Sequence, residues 1–134
     1  MSAQMNAYNK YKQNNVVTAS PGELTLMLYN GCIKFIGQGR KAIEDNNIQL
    51  RNMYIQKAQA IIAELMSTLK MDMEISKQML PLYEYINHLL IEANIHSDIS
   101  SLDEALKLVT EFRDTWKEVI KITRQQQFSN VSQV

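Results

Sequence analysis

His88, Glu92 and His96 are the residues whose types and spacing come nearest to a metal site. Intervals of four place all three on one face of a helix, where imidazole and carboxylate groups could bind a transition metal. A fourth ligand is not evident, and this face lies away from the apolar stripe of the same segment. A solvated polar helix face is therefore the favoured interpretation, and we predict no metal and no cofactor.

His88 and Cys32 are the remaining candidates for nucleophilic chemistry. His88 could accept a phosphoryl group on a helical bundle, but an apolar run follows it in place of the Lys and Gly that commonly attend such a site. Phosphotransfer through His88 is kept as the alternative function. Cys32 has no second cysteine and no histidine close to it in sequence, so helix packing is the favoured role. We predict that the chain is not an enzyme.

The composition indicates one all-helical domain. The 134 residues are 46% hydrophobic and include only four glycines and two prolines, fewer than a β-sandwich or barrel normally needs for its turns. The 14 basic and 14 acidic residues cancel, which argues against a nucleic-acid binder. Neither a membrane-spanning apolar run nor a signal pattern is evident, so we expect a cytoplasmic protein without membrane insertion.

Helical start signals and apolar spacing predict four long helices. Ser20 and Glu23 form a capping box with Pro21 at the first helical position, and a second capping box begins at Ser101. The predicted helices cover about 21–42, 48–69, 75–95 and 101–123, and Pro81 should kink the third or mark a later start. Short connections favour an antiparallel four-helix bundle.

The two ends of the chain are predicted to lie outside this bundle. Residues 1–19 contain a short helical piece and are expected to form a mobile N-terminal segment, so that the single helical-bundle domain spans 1–123 in all. The polar residues 124–134 are predicted to be a disordered tail.

The first helix is apolar on most of its circumference. One side carries a stripe suited to the core, and a second stripe lies roughly opposite it, formed by Leu26, Tyr29, Ile33 and Ile36. The N-terminal segment could cover this second stripe in a closed monomer, or a partner polypeptide could bind it. Large exposed apolar patches usually mark interaction sites, which favours the partner.

The chain also resembles a known family. The residues that carry the resemblance are Tyr8, Tyr11, the run Thr18-Ala19-Ser20-Pro21-Gly22-Glu23-Leu24-Thr25-Leu26-Met27-Leu28-Tyr29-Asn30-Gly31, the run Leu82-Tyr83-Glu84-Tyr85-Ile86, Ala93-Asn94, Asp98, and the run Phe112-Arg113-Asp114-Thr115-Trp116-Lys117. They span nearly the whole chain and resemble the flagellin-specific export chaperones (FliS).

This resemblance implies a bundle that binds the disordered C-terminal segment of flagellin, prevents premature polymerisation and delivers flagellin to the gate of the flagellar type III export apparatus. It implies that Tyr8 and Tyr11 belong to an N-terminal lid over the site. Thr18, Ser20 and Pro21 become the hinge and helix start. The resemblance does not account for Gly37, Gly39 or Pro81.

We therefore predict a partner-binding surface made of apolar and aromatic side chains: Tyr8, Tyr11, Leu26, Tyr29, Ile33, Ile36, Leu50, Met53 and Tyr54. A flagellin helix would dock through anchors at helical intervals. The protein itself is expected to be a monomer or a weak homodimer. A generic helical adaptor that uses the same stripe is a third interpretation.

Overall fold

The computed structural model describes residues 20–132, and they form four α-helices with no strand among them. The helices are α1 (Pro21–Glu44), α2 (Ile48–Ser67), α3 (Glu74–His96) and α4 (Ile99–Ser132). The predicted boundaries of the first three helices are confirmed to within about two residues. The N-terminal segment, with Tyr8, Tyr11 and Thr18, lies outside the described residues.

The helices form an antiparallel four-helix bundle, as the sequence predicted. Each helix packs against two neighbours, because α1 and α3 both contact α2 and α4. Arg40 near the end of α1 binds Asp103 near the start of α4, while Trp116 late in α4 donates to the Gly22 carbonyl at the start of α1. This pairing of opposite ends shows that α1 and α4 run antiparallel.

The predicted start of α1 is confirmed. Ser20 is the N-cap, its side chain accepts a hydrogen bond from the Glu23 backbone N–H at 3.2 Å, and Pro21 occupies the first turn. The chain then turns through Asn46, whose φ of 54° is a left-handed conformation that asparagine tolerates. Asn47 caps α2 by accepting from the Leu50 N–H at 3.1 Å.

Helix α3 begins before Pro81, so a start at that proline is excluded. Pro81 is exposed and lies inside α3, which begins at Glu74. The helix ends at His96, and Ser97 follows as its C-cap with a φ of 50°. The Ser97 hydroxyl accepts a hydrogen bond from the Arg51 guanidinium of α2 at 2.6 Å.

Two predictions about α4 are wrong. Its N-terminal cap is Asp98 and not Ser101, because the Asp98 carboxylate accepts from the backbone N–H and the hydroxyl of Ser101. The predicted disordered tail from residue 124 is instead helical to Ser132. Polarity favoured disorder, but glutamine is a good helix former and the run of glutamines at 125–127 continues the helix.

The core lies along the bundle axis and receives side chains from all four helices. Its fully buried members are mainly aliphatic; the largest are Ile36, Ile55, Ile61, Ile62, Leu65, Ile86, Leu90, Leu102 and Val109. No helix in the described part of the chain is long and apolar enough to cross a membrane.

Candidate functional site

Helix α1 has one broad buried arc, where the sequence predicted two opposite apolar faces. The centre of the arc points to the core and carries Leu28, Tyr29, Cys32 and Ile36, all of them buried. One edge of the arc packs on α2 and the other on α4. The two predicted stripes are the halves of this arc, which explains why little of the helix circumference is polar.

The edge toward α2, here called the α2 flank, is defined by Gly31, Phe35 and Gly39 at intervals of four. A Cβ atom added at Gly31 would lie 3.2 Å from Ile61 Cδ1, and one added at Gly39 would lie 3.0 Å from Ile55 Cγ1. Both glycines therefore allow close approach of the two helices. This is the role that the sequence left open for Gly39.

The edge toward α4, here called the α4 flank, carries Gly22, Leu26, Ile33 and Arg40 at intervals of four and seven. Its two ends contact α4 directly, because Gly22 packs near Ile120 and the Arg40 Nε donates to an Asp103 carboxylate oxygen at 2.8 Å. Leu26 and Ile33 lie between these contacts and are half-buried. Ile33 packs against the core, whereas Leu26 is not part of the core cluster.

Tyr29 and Ile36 are core residues, so the prediction that they lie on a stripe opposite the core-facing side of the helix is wrong. Their exposed fractions are 3% and 0%. The Tyr29 hydroxyl is 2.6 Å from the Tyr83 hydroxyl of α3, and its ring lies 6.3 Å from that of Phe112. Helical spacing placed the two residues on the partner stripe, but packing from α4 turns that side of α1 inward.

The other predicted partner residues lie on α2, beside the α2 flank. Leu50 is 38% exposed, while Met53 and Tyr54 are half-buried. The Tyr54 ring stacks on Phe35 with centroids 6.4 Å apart, and the Lys57 ammonium lies 5.3 Å from the Phe35 centroid. Neither Phe35 nor Lys57 was among the predicted partner residues, although Lys57 follows Tyr54 by three residues on the same helix face.

The structure therefore divides the predicted surface between two places. Leu26 and Ile33 lie on the α4 flank, and Leu50, Met53 and Tyr54 lie beyond the α2 flank. Between them runs the polar outer surface of α1, where residues such as Asn30, Lys34 and Lys41 are exposed. A partner that contacts both places must cross this outer surface.

The start of α1 is fixed to the end of the bundle by α4. The Trp116 indole donates to the Gly22 carbonyl at 2.8 Å, and Arg124 forms an ion pair with Glu23. Glu23 thus binds a residue of α4 in addition to its place in the predicted capping box. These contacts orient the first turn of α1, immediately after residues 1–19.

The residues considered for chemistry are ordinary parts of the bundle. Cys32 is fully buried, and burial raises the pKa of its thiol to about 12, so the thiol stays protonated and unreactive at neutral pH. His88 is exposed on α3, and the Nε2 atom of His96 lies 3.4 Å from the Oε2 atom of Glu92. Within residues 20–132, no three His, Cys, Asp or Glu side chains are grouped closely enough to bind a metal ion.

An antiparallel bundle with half-buried apolar side chains on and beside its first helix is typical of a helical binding protein. The family model described as "Flagellar protein FliS" matches residues 4–123. The chain therefore belongs to the FliS family of flagellar secretion chaperones, and it is a chaperone and not an enzyme.

Individual relatives agree with this family. The chain is 48% identical over 122 residues to the flagellar secretion chaperone FliS of Bacillus subtilis, covering 91% of this chain and 92% of the relative. It is 30% identical over 115 residues to FliS of Campylobacter jejuni, covering 84% and 90%. A solved bacterial flagellar chaperone has the same fold, with a TM-score of 0.71 at 19% identity, over 88% of this chain and 98% of that one.

Proposed function

We propose that this chaperone binds the disordered C-terminal segment of flagellin in the cytoplasm, prevents its premature polymerisation and delivers it to the gate of the flagellar type III export apparatus. The observation that supports this most directly is the family match over residues 4–123, which includes the whole bundle up to the last turns of α4. A segment that mediates polymerisation must offer surface that associates with its neighbours, and exposed apolar surface of that kind needs a cover before export.

The described surface offers that cover on both sides of the outer face of α1. Leu26 and Ile33 on the α4 flank, and Leu50, Met53 and Tyr54 on α2, are the described side chains that we assign to client binding, the client being the flagellin segment. Full burial of a Leu or Ile contributes about 1.5–3 kcal/mol. A client helix that crosses α1 would contact both groups, and an extended stretch would connect successive contacts.

Apolar burial should dominate the affinity. The 14 basic and 14 acidic residues give no net charge that would attract a client over long distances. Binding should therefore depend only weakly on salt. We further propose that the N-terminal segment, with Tyr8 and Tyr11, covers part of this surface when no client is bound, and that the free chaperone is a monomer or a weak homodimer.

Co-purification tests the proposed client. Tagged chaperone co-expressed with full-length flagellin should retain it, whereas flagellin that lacks its C-terminal segment should be lost in the wash. A matched flagellin truncated at its N-terminus instead should still be retained. Equal recovery of the C-terminally truncated form would show that the client segment lies elsewhere in flagellin, and no recovery of any form would reject flagellin as the client.

A further inference from the structure

A small pocket lies at the end of the bundle where α1 passes into α2 and where α3 ends. Its volume is about 150 Å³. Ala42, Ile43 and Ile48 form its apolar side, and Ile48 is 65% exposed. An isoleucine this exposed at the mouth of a pocket offers apolar surface to whatever enters.

The polar side of the pocket contains the Arg51 guanidinium, whose two hydrogen-bond partners are neutral side chains. Arg51 donates from Nε to the Asn94 side-chain oxygen at 3.0 Å and from Nη1 to the Ser97 hydroxyl at 2.6 Å. Both Arg51 and Ser97 line the pocket. A guanidinium has five N–H donors, so these two bonds orient Arg51 and leave donors for a ligand.

The acidic side chains nearest in sequence to the pocket-lining residues have other partners. Glu44 pairs with Arg40, Asp45 pairs with Lys41 at 3.3 Å, and the Asp98 carboxylate accepts from Ser101. None of these three carboxylates lines the pocket. Among the residues that the structure describes, 20–132, Arg51 therefore forms no ion pair with a carboxylate, and its two side-chain partners are neutral.

Asn47 adds a neutral donor to the same site. Asn47 lines the pocket, and its side-chain oxygen accepts from the Leu50 N–H and caps α2, so its amide NH₂ takes no part in that cap. An arginine with free donors, a side-chain amide and an aliphatic wall together fit a carboxylate that is attached to an aliphatic chain. The end of a polypeptide has this chemistry.

We propose that this pocket binds the C-terminal residue of the partner polypeptide, with its α-carboxylate on Arg51 and the aliphatic part of its side chain against Ile43 and Ile48. The inference rests on the proposed function, in which the client is the C-terminal segment of flagellin. Leu50, one of the residues assigned to client binding, directly precedes the pocket residue Arg51 in α2, so the pocket would fix where the client ends and thereby its register on the bundle.

The test is calorimetry of the full-length chaperone with two synthetic peptides of the flagellin C-terminal segment. One peptide carries its free C-terminal carboxylate and the other a C-terminal carboxamide. The free acid should bind about tenfold more tightly, the effect expected of a charge-assisted hydrogen-bond pair. In Arg51→Gln the two peptides should bind alike, whereas Arg113→Gln, a control arginine paired with Asp114 elsewhere on α4, should keep the tenfold difference.

A second variant covers the case in which Arg51→Gln fails to fold. Ile48→Glu places a carboxylate at the exposed mouth of the pocket without removing any bond of Arg51. It should weaken binding of both peptides through the lost apolar contact with Ile48, and weaken binding of the free acid about tenfold more than binding of the carboxamide. An equal loss of affinity for both peptides would contradict the assignment.

The outcomes separate this inference from the proposed function. Binding of neither peptide to the unmodified chaperone rejects the proposed function and the pocket assignment together. Equal binding of both peptides supports the proposed function and overturns the pocket assignment. If the carboxamide binds as tightly as the acid and loses affinity only when acidic side chains within the peptide are changed to amides, the occupant is such a side chain and the C-terminal assignment is wrong.

Discussion

The hydrogen bond between Tyr29 and Tyr83 explains why a tyrosine of α1 lies in the core. Both side chains are buried, and burial raises the pKa of both phenols. At neutral pH both hydroxyls are therefore protonated, so one donates and the other accepts. A buried hydroxyl without such a partner is unfavourable, which makes the pair a unit in energetic terms.

The losses of stability caused by the two single replacements should add up to more than the loss caused by replacing both tyrosines together. Tyr83→Phe leaves the Tyr29 hydroxyl buried and unpaired, and we expect it to lower the free energy of unfolding by about 1–3 kcal/mol. The double variant Tyr29→Phe/Tyr83→Phe should be clearly less destabilised than the sum of the single variants. Urea denaturation of the four proteins measures this, and additive single effects would contradict a coupled pair.

Sequence reasoning could not identify this pair. The two tyrosines are 54 residues apart on different helices, and nothing in the spacing within α1 indicates a partner on α3. Helical periodicity gives the angle of Tyr29 around its own helix but not the direction from which the neighbouring helices approach. The buried role of Cys32, by contrast, was predictable because no other residue type near it in sequence supports thiol chemistry.

At the scale of the element, α1 shows what local signals can and cannot define. Ser20, Pro21 and Glu23 predicted its start because caps depend on residues close in sequence. Asp98 was missed as the cap of α4 because Ser101 and Glu104 imitate a capping box three residues later. The buried arc of α1 was predicted in its width but not in its centre, which α2 and α4 determine jointly.

Gly37 and Gly39 provide a matched pair within α1. A Cβ at Gly37 would meet no atom within 4 Å, whereas a Cβ at Gly39 would lie 3.0 Å from the fully buried Ile55. Gly37→Ala should therefore stabilise the protein by about 0.5–1 kcal/mol through helix propensity. Gly39→Ala gains the same propensity but overpacks the α1–α2 contact, and we expect a net loss of about 1–2 kcal/mol.

Thermal and urea denaturation of both alanine variants would check this prediction. The reverse order of stability would mean that α1 and α2 can move apart at Gly39 without penalty. In that case the close approach of the two helices would not be a constraint on the sequence.

At the scale of the whole molecule, the all-helical composition and the short connections were sufficient to predict the antiparallel bundle. Membership of the family was predictable from the sequence motifs and is confirmed by the match to residues 4–123. The pocket around Arg51 was not predictable, because its lining comes from the ends of three helices and from one turn. Its residues share no motif, and only the fold brings them together.

The division of the proposed client-binding residues between two places also belongs to this scale. The sequence placed Leu26, Tyr29, Ile33 and Ile36 on one groove-lining stripe, whereas the fold takes Tyr29 and Ile36 into the core. What remains is a surface on both sides of α1, which a wrapping client can use and a single straight helix cannot use fully.

The central claim is that apolar side chains on α1 and beside it on α2 bind the flagellin C-terminal segment. Titration calorimetry of Leu26→Asp tests this claim most directly. Leu26 lies outside the core cluster, so circular dichroism should show unchanged helicity. Loss of its apolar contact should weaken peptide binding at least about tenfold. Leu82→Asp, at a 42% exposed leucine on the diagonally opposite helix α3, is the control and should bind as the unmodified protein does. Unchanged affinity in a folded Leu26→Asp variant, or an equal loss in both variants, would contradict the claim.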